Sequence, residues 1–405
     1  MEKNRSIVHM DLDTFFVSCE RLLDSRLNGK PILIGGTSDR GVVAACSYEA
    51  RKFGVHSAMP MKMAKERCPE AIIIKGNSST YMKYSGLVTD IIKEEAPVYE
   101  KASVDEFYID LTGMDKFYGC YKYAGELRQK IMRETGLPIS FGLSQNKTVS
   151  KIATGEAKPN NQIQIDYGEE KPFLGPLSVR KIPMVGLKTY QMLRNLGIQK
   201  IQTIQDMPIE MMESAFGKNG GGIWKKAQGI DNTPVIQYNE RKSISTERTF
   251  DQDTIDVTKL KGILAAMAEN LAFQLRRGKK VSACVTVKVR YSDFQTKTLQ
   301  KRIPYTSADH DLIPLVNELF DRVYNRRLLV RLIGVRYSEL VNGHHQMSLF
   351  DDKIEYVKLY QAMDKIRLRF GDRAVLRAVG IEARTIGRWN PFSGEPPPLL
   401  ANRRS

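Results

Sequence analysis

Two short strings hold the residues best suited to chemistry. MDLD places Asp11 and Asp13 two positions apart at the end of an apolar run, and SVDEFYID places Asp105 beside Glu106 between two runs that read as buried strands. On a strand, residues two apart point to the same side. Carboxylates beside a core are costly unless cations meet them, and three or four at one spot repel. Mg2+ is the natural partner, since it takes hard oxygen ligands and binds a few carboxylates together with phosphates. Two such ions about 3.5–4 Å apart can stabilise both the attacking and the leaving oxygen of an in-line displacement.

The surrounding sequence predicts how these residues meet. A strand over Ile7–Asp13 leads into the helical stretch FFVSCERLL. Gly-Lys-Pro at 29–31 introduces the short strand ILIGG, and Val42–Tyr48 is a further apolar run. Residues 79–95 carry Tyr84, Leu87, Val88 and Ile91 on one helical stripe. VYEKAS, the turn VDE and FYIDL read as a hairpin, followed by a helix over 116–134 that ends at Gly136-Leu137-Pro138, and then the strand ISFGLS. Strand, helix, hairpin, helix, strand is the order of a split βαβ, ferredoxin-like sheet, an α+β arrangement with residues 20–77 as an insertion. In that sheet the first strand lies beside the hairpin, so the carboxylates converge.

Further along, KIPMVGLKTYQMLRNLGI (181–198) reads as a helix-hairpin-helix, whose glycine turn and helix N-terminus hold a DNA backbone through exposed amides. Gly186 is present and Lys188 follows it, but Met184 occupies the place of the usual first glycine. A helix over 257–277 stops at Gly278. The strand 281–292 alternates, with Val281, Ala283, Val285, Val287, Val289 and Tyr291 on one side and Ser282, Thr286, Lys288, Arg290 and Ser292 on the other. A face of hydroxyls and cations, with Arg336 added from a later strand, suits phosphate tracking. The tail contains QMSLF (346–350), a helical pattern over 354–370 and a Pro-rich end expected to be extended.

Composition bounds the rest. A chain of 405 residues exceeds one core, and 42% hydrophobic with 27% charged residues suits a globular protein. No run of 18 apolar residues predicts a membrane span, and the start MEKNRSIVHMDLD lacks the core of a signal peptide. Five scattered cysteines without a C-x-x-C pair argue against zinc and disulfides, and for a reducing cytoplasm. The net charge of +16 is uneven: residues 1–150 carry 21 Lys and Arg against 19 Asp and Glu, leaving +14 on the remainder. Such an excess suits a polyanion partner.

The strings MDLDTFFVSCE, YEARKFGVHSAMP, SVDEFYID and GLSQNKTVSKIATGEAKPN, in this order, resemble the signature blocks of the Y-family DNA polymerases, and most closely their DinB branch. The resemblance spans about residues 5 to 350. It implies a right hand: palm (1–19 and 78–170), fingers (20–77), helix-hairpin-helix thumb (171–240) and an α/β little finger (241–341), with a tail at 342–405. It implies template-directed, error-prone synthesis past lesions from dNTPs on primer-template DNA, without a proofreading domain, by a cytoplasmic monomer. Asp11, Asp105 and Glu106 match the catalytic carboxylates that hold two Mg2+ ions, with the Leu12 carbonyl assisting, whereas Asp13 matches no ligand and reads as structural. Phe16 matches the steric gate against a ribose 2′-hydroxyl. Tyr48, Arg51 and Lys158 match triphosphate contacts, and Ala58 and Met59 match the finger residues over the templating base. Ser103 is placed to orient the acidic pair. QMSLF resembles the sliding-clamp binding pentapeptide, with Gln346, Leu349 and Phe350 as its anchors.

Two other readings fit less of the sequence. A nucleotidyl cyclase shares a ferredoxin-like sheet with two-metal carboxylates, but calls for a glycine-rich turn where Ala102-Ser103-Val104 stands. A non-catalytic DNA- and clamp-binding scaffold predicts a missing carboxylate, yet all three are present.

Overall fold

The computed structural model describes residues 5–38, 40–114, 119–237, 240–343, 354–371, 374–380 and 383. The chain forms two compact units that meet in sequence at residues 239 and 240. No helix among the described residues is long and apolar enough to cross a membrane.

The first unit runs β1 (Ile7–Leu12), α1 (Phe15–Leu23), β2 (Ile32–Gly35), β3 (Val43–Cys46), α2 (Tyr48–Arg51), α3 (Met61–Arg67), β4 (Ile72–Ile74), α4 (Ser78–Glu95), β5 (Val98–Lys101), β6 (Glu106–Asp110), α5 (Cys120–Thr135), β7 (Ile139–Ser144), α6 (Lys147–Ala157) and β8 (Gln162–Gln164). Its main sheet has the order β5-β6-β1-β7-β8, with β1 antiparallel to both β6 and β7. This is the ferredoxin-like order, with β8 added parallel to β7. β1 is central and buried on both faces, which is why it reads as a continuous apolar run rather than an alternation. Tyr81, Val88 and Ile92 of α4 and Leu127 and Ile131 of α5 share one core with Val8, Met10, Phe107 and Phe141 of the sheet. α6 presses against β7 so closely that a Cβ at Gly142 would collide with the Ser150 carbonyl. Asn77 and Asn146 cap α4 and α6 by accepting from the amides of Ser79 and Val149, contacts worth about 1 kcal/mol each.

The inserted segment builds a second sheet, ordered β3-β2-β4, with its own core around Leu33, Val43, Met59 and Met61. The run from Val42 is a strand only to Cys46; Ser47 then accepts from the Ala50 amide and starts α2. Past β8 come α7 (Glu170–Leu174), α8 (Leu187–Asn195), α9 (Ile201–Gln205), α10 (Ile209–Phe216) and α11 (Lys218–Ala227), packed around Leu174, Leu193, Ile204 and Ile223.

The second unit contains β9 (Ser243–Thr254), α12 (Val257–Arg277), β10 (Lys280–Tyr291), β11 (Thr296–Thr306), α13 (Asp309–Val323), β12 (Val330–Asn342) and α14 (Ile354–Phe370). Its antiparallel sheet is ordered β11-β10-β12-β9, and α12 and α13 pack on it through Leu264, Met267, Leu319 and Phe320. The expected alternation along β10 fails at one end. A register shift between Ser282 and Cys284 buries both, and the Ser282 hydroxyl donates to the Ser338 carbonyl at 2.7 Å. Ser282 therefore does not belong to the outward face, whereas Thr286, Lys288 and Arg290 do.

Candidate active site

The carboxylates gather at one end of β1. Asp11 is the register partner of Glu106 on β6 and of Ser140 on β7, and the Leu12 amide donates to the Asp105 carbonyl at 3.0 Å. Main-chain bonds thus bring the D-x-D strand and the hairpin together. Ser103 turns the hairpin: its hydroxyl donates to Asp105 Oδ1 at 2.5 Å and accepts from the Glu106 amide at 3.0 Å. Asp105 is thereby held by the side chain expected to orient it.

α6 supplies the counter-charges. Lys151 Nζ lies 2.5 Å from Glu106 Oε2. Lys158, just past the helix, pairs with Asp11 and stands 3.6 Å from Asp13. Burial pushes the Asp11 carboxyl up to about 6 against the pull of Lys158, with Glu106 and Asp105 adding to the rise. Burial also opposes ionisation of Glu106, but the His9 ring and the Lys151 ammonium outweigh it and bring the group down to about 2. His9 is fully buried behind Glu106, with Nδ1 2.9 Å from the Thr154 hydroxyl and Nε2 3.8 Å from Glu106. Burial pulls its imidazole down to about 4, so it is neutral at physiological pH.

Asp13 is unlike its neighbour. Its side chain is 2% exposed, and Oδ2 accepts from the Ser140 hydroxyl at 2.9 Å and from the Asn160 amide at 2.6 Å. This carboxylate ties β1 to β7 and to the chain after α6.

Tyr48 begins α2, and the Arg51 guanidinium lies 5.0 Å from its ring centroid. The Tyr48 hydroxyl is buried without a hydrogen-bond partner among the described residues. Burial and the nearby Asp13 and Asp11 carboxylates raise its phenol, keeping it a donor. Phe15 belongs to the core, while Phe16 is half-buried and stacks on Tyr81 with centroids 4.4 Å apart. Ala58 is exposed with φ +68°, a conformation in which a larger side chain would be strained. Met59, expected beside it over the templating base, is 2% exposed and packs inside the inserted domain. Its side chain cannot contribute to a surface there.

The remaining predicted residues lie elsewhere. Gly186 is the N-cap of α8 and Lys188 is exposed in its first turn. Met184 takes the left-handed φ of +77° that the missing glycine would supply, and is 89% exposed. In the second unit, Arg336 on β12 is the register partner of Thr286 on β10, two positions along that strand from Lys288 and four from Arg290. Lys288 pairs with Glu247 and Arg290 donates to the Thr296 hydroxyl at 2.8 Å. Gln346, Leu349 and Phe350 fall outside the described residues.

The sequence reading missed Lys151, His9 and Tyr81. Lys147, Lys151 and Lys158 repeat at helical spacing, a signal that one face of α6 is cationic. Nothing local marks His9 or Tyr81, whose contacts lie 97 and 65 residues away in sequence by subtraction of positions.

The oxygen-rich donor set fits a hard divalent cation. Among the described residues no three acidic, His or Cys side chains form a ready cage; Asp11 and Glu106 face lysines instead.

Residues 10–155 match the impB/mucB/samB family and residues 241–349 match that family's C-terminal domain. The chain is 38% identical to a DNA polymerase IV of Dehalococcoides mccartyi strain CBDB1, over 92% of this chain and 96% of the relative. It is 35% identical to a DNA polymerase IV of Treponema denticola, over 83% and 85%. Among solved structures, a Y-family DNA polymerase chimera built from Dbh and Dpo4 superposes with a TM-score of 0.72 at 27% identity, covering 83% of this chain and 99% of that one. The chain belongs to the impB/mucB/samB family of Y-family DNA polymerases.

Proposed function

We propose that Asp11, Asp105 and Glu106, with the Leu12 carbonyl, hold two Mg2+ ions with which this translesion DNA polymerase joins a dNTP to a primer 3′-hydroxyl. The polymerase activity and its need for a divalent metal follow from the family; the ligand set and the ion count are proposed from the resemblance, and the gathering of the carboxylates supports the ligand set. The observation that carries the reading is the meeting of Asp11 and Glu106 as register partners, with the Asp105 carbonyl bonded to the Leu12 amide. When bound, the metal would lower the pKa of the primer hydroxyl and stabilise charge on the phosphates.

The protein's own groups do the rest. Glu106, kept ionised, would hold the metal that serves the primer hydroxyl, while Asp11 and Asp105 would hold the metal charge that offsets the triphosphate. Lys158 leaves Asp11 for the triphosphate, joined there by Arg51, whose planar fork suits bidentate contact, and by the Tyr48 hydroxyl. Phe16, braced on Tyr81, lies under the sugar. Ala58 leaves a small roof over the templating base, so that selection by shape is weak and damaged bases enter.

The domains read as palm for the main sheet, fingers for the inserted sheet, thumb for α7–α11 and little finger for the second unit. Gly186 and Lys188 would grip a DNA backbone from the thumb, and Lys288, Arg290 and Arg336 from the little finger. The segment 346–350 would dock on a sliding clamp through Gln346, Leu349 and Phe350.

Primer extension with Mg2+ and dNTPs, on an undamaged template and on one with a minor-groove guanine adduct, tests the reading. Extension of both is expected; extension of the undamaged template alone would remove the lesion assignment, and absence of synthesis despite primer-template binding would restore the scaffold.

A further inference from the structure

α14 is inside out. A surface helix ordinarily buries its apolar stripe and exposes its charges. Here the side that packs on the domain carries Tyr360, Asp364 and Arg367. The Arg367 guanidinium donates to the buried Glu269 at 2.5 Å, Asp364 pairs with Arg276 at 2.7 Å, and the Tyr360 hydroxyl accepts from the His310 amide at 3.1 Å. A second side, about a third of a turn round the helix, presents Leu359, Ile366 and Phe370, which are 49%, 40% and 68% exposed, with exposed Ala362 between them. Positions 359, 362, 366 and 370 are separated by three, four and four residues, so at 3.6 residues per turn they form one continuous stripe. Lys358, Lys365 and Arg369, all exposed, line one flank of that stripe.

The inward charges fix the helix on its domain, so the outward stripe is not a face waiting for the domain's own core. We propose that the outer face of α14 is a docking site for an acidic amphipathic helix of a partner protein, whose apolar residues cover Leu359, Ile366 and Phe370 while its carboxylates meet Lys358, Lys365 and Arg369. Charge selects this occupant. The chain's own last segment, residues 384–405, carries four arginines against one glutamate and would be repelled by the basic flank. A second copy packed antiparallel would set the same cations against each other. A lipid surface is disfavoured because the stripe is narrow and has Glu355 at its N-terminal end. The inference is independent of the catalytic reading.

The test uses the full chain and a fluorescein-labelled amphipathic peptide of about 20 residues, long enough to span the helix, with leucines at heptad positions and glutamates along its flanks. A twin with lysines for the glutamates serves as the comparison. By anisotropy, the protein should bind the glutamate peptide at least about tenfold more tightly than the lysine peptide. Ile366→Ser/Phe370→Ser should abolish binding, and Lys365→Glu/Arg369→Glu should reverse the preference; primer extension should persist in both variants. Equal affinity for the two peptides, or binding that survives Ile366→Ser/Phe370→Ser, would overturn the proposal. So would a dimer in sedimentation, or adsorption to phosphatidylserine vesicles in place of peptide binding, if the Ile366→Ser/Phe370→Ser variant lost it; these would assign the stripe to a second copy or to a lipid surface.

Discussion

The Leu12 amide donates to the Asp105 carbonyl at 3.0 Å, so the two acidic segments are joined through the main chain and not through their carboxylates. Side-chain substitutions at the acidic positions therefore leave the strand pairing intact. Loss of function and loss of fold can be separated here, residue by residue.

Asp13 is where they part. Its carboxylate satisfies the Ser140 hydroxyl and the Asn160 amide in a buried setting. Asp13→Ala should strand both donors and cost about 2–4 kcal/mol, read as a lower denaturation midpoint. Unchanged stability with synthesis abolished would instead make Asp13 a functional carboxylate.

Phe16 stacks on Tyr81, whose hydroxyl donates to Glu20 at 2.6 Å. Phe16→Ala should admit ribonucleotides, raising their incorporation relative to dNTPs by at least about a hundredfold, the selectivity a snug steric contact supplies. Tyr81→Phe keeps the stack and should keep sugar selection; Tyr81→Ala removes the brace and should relax it partly. Unchanged selectivity in Phe16→Ala would remove that residue as the gate.

Most of this arrangement is legible in the sequence because it depends on local periodicity. The central strand, the VDE hairpin and the helices over 79–95, 257–277 and 354–370 each carry their own pattern. What is not legible depends on distant partners. Met59 is placed over the templating base by resemblance alone, yet the inserted sheet closes over it. The irregularity at Ser282 is set by pairing with β11, not by the strand's own alternation. The docking of α14 is invisible to a search for apolar stripes, because the helix packs through Tyr360, Asp364 and Arg367.

Lys101 gives a pH signature. Its ammonium is partly buried against the hydroxyls of Ser85 and Thr89, at 2.7 and 2.8 Å. Burial lowers its pKa to about 8, although Asp90 opposes the shift. Below pH 8 both folded and unfolded chains hold the proton, and the cost of burying the charge is fully present. Between about 8 and the unfolded value of about 10.5 the folded chain has released the proton first, so stability rises with pH. Lys101→Met should be more stable than the parent at pH 7, with the difference shrinking by pH 10. A difference that does not change with pH would contradict the burial of that charge. Ser85 and Thr89 keep acceptors for their hydroxyls in the variant.

The tail separates into a stabilising and a recruiting part. Ending the chain at residue 343 removes Asp364 and Arg367, leaving the buried Glu269 without its 2.5 Å partner and Arg276 without one of two carboxylates. The second unit should lose about 3–5 kcal/mol. Deleting only 346–350 should leave the denaturation midpoint unchanged and lower clamp-stimulated synthesis alone; an equal loss without the clamp would end the clamp assignment.

The central claim is that Asp105 and Glu106 serve the metal and not the fold. The most direct measurement compares single-nucleotide incorporation with primer-template affinity in Asp105→Ala and Glu106→Ala. The account predicts incorporation reduced by at least about a thousandfold, as expected when metal-borne transition-state stabilisation is lost, with DNA affinity within about twofold of the parent. Retained incorporation, or loss of synthesis and DNA binding together with a lower denaturation midpoint, would contradict it.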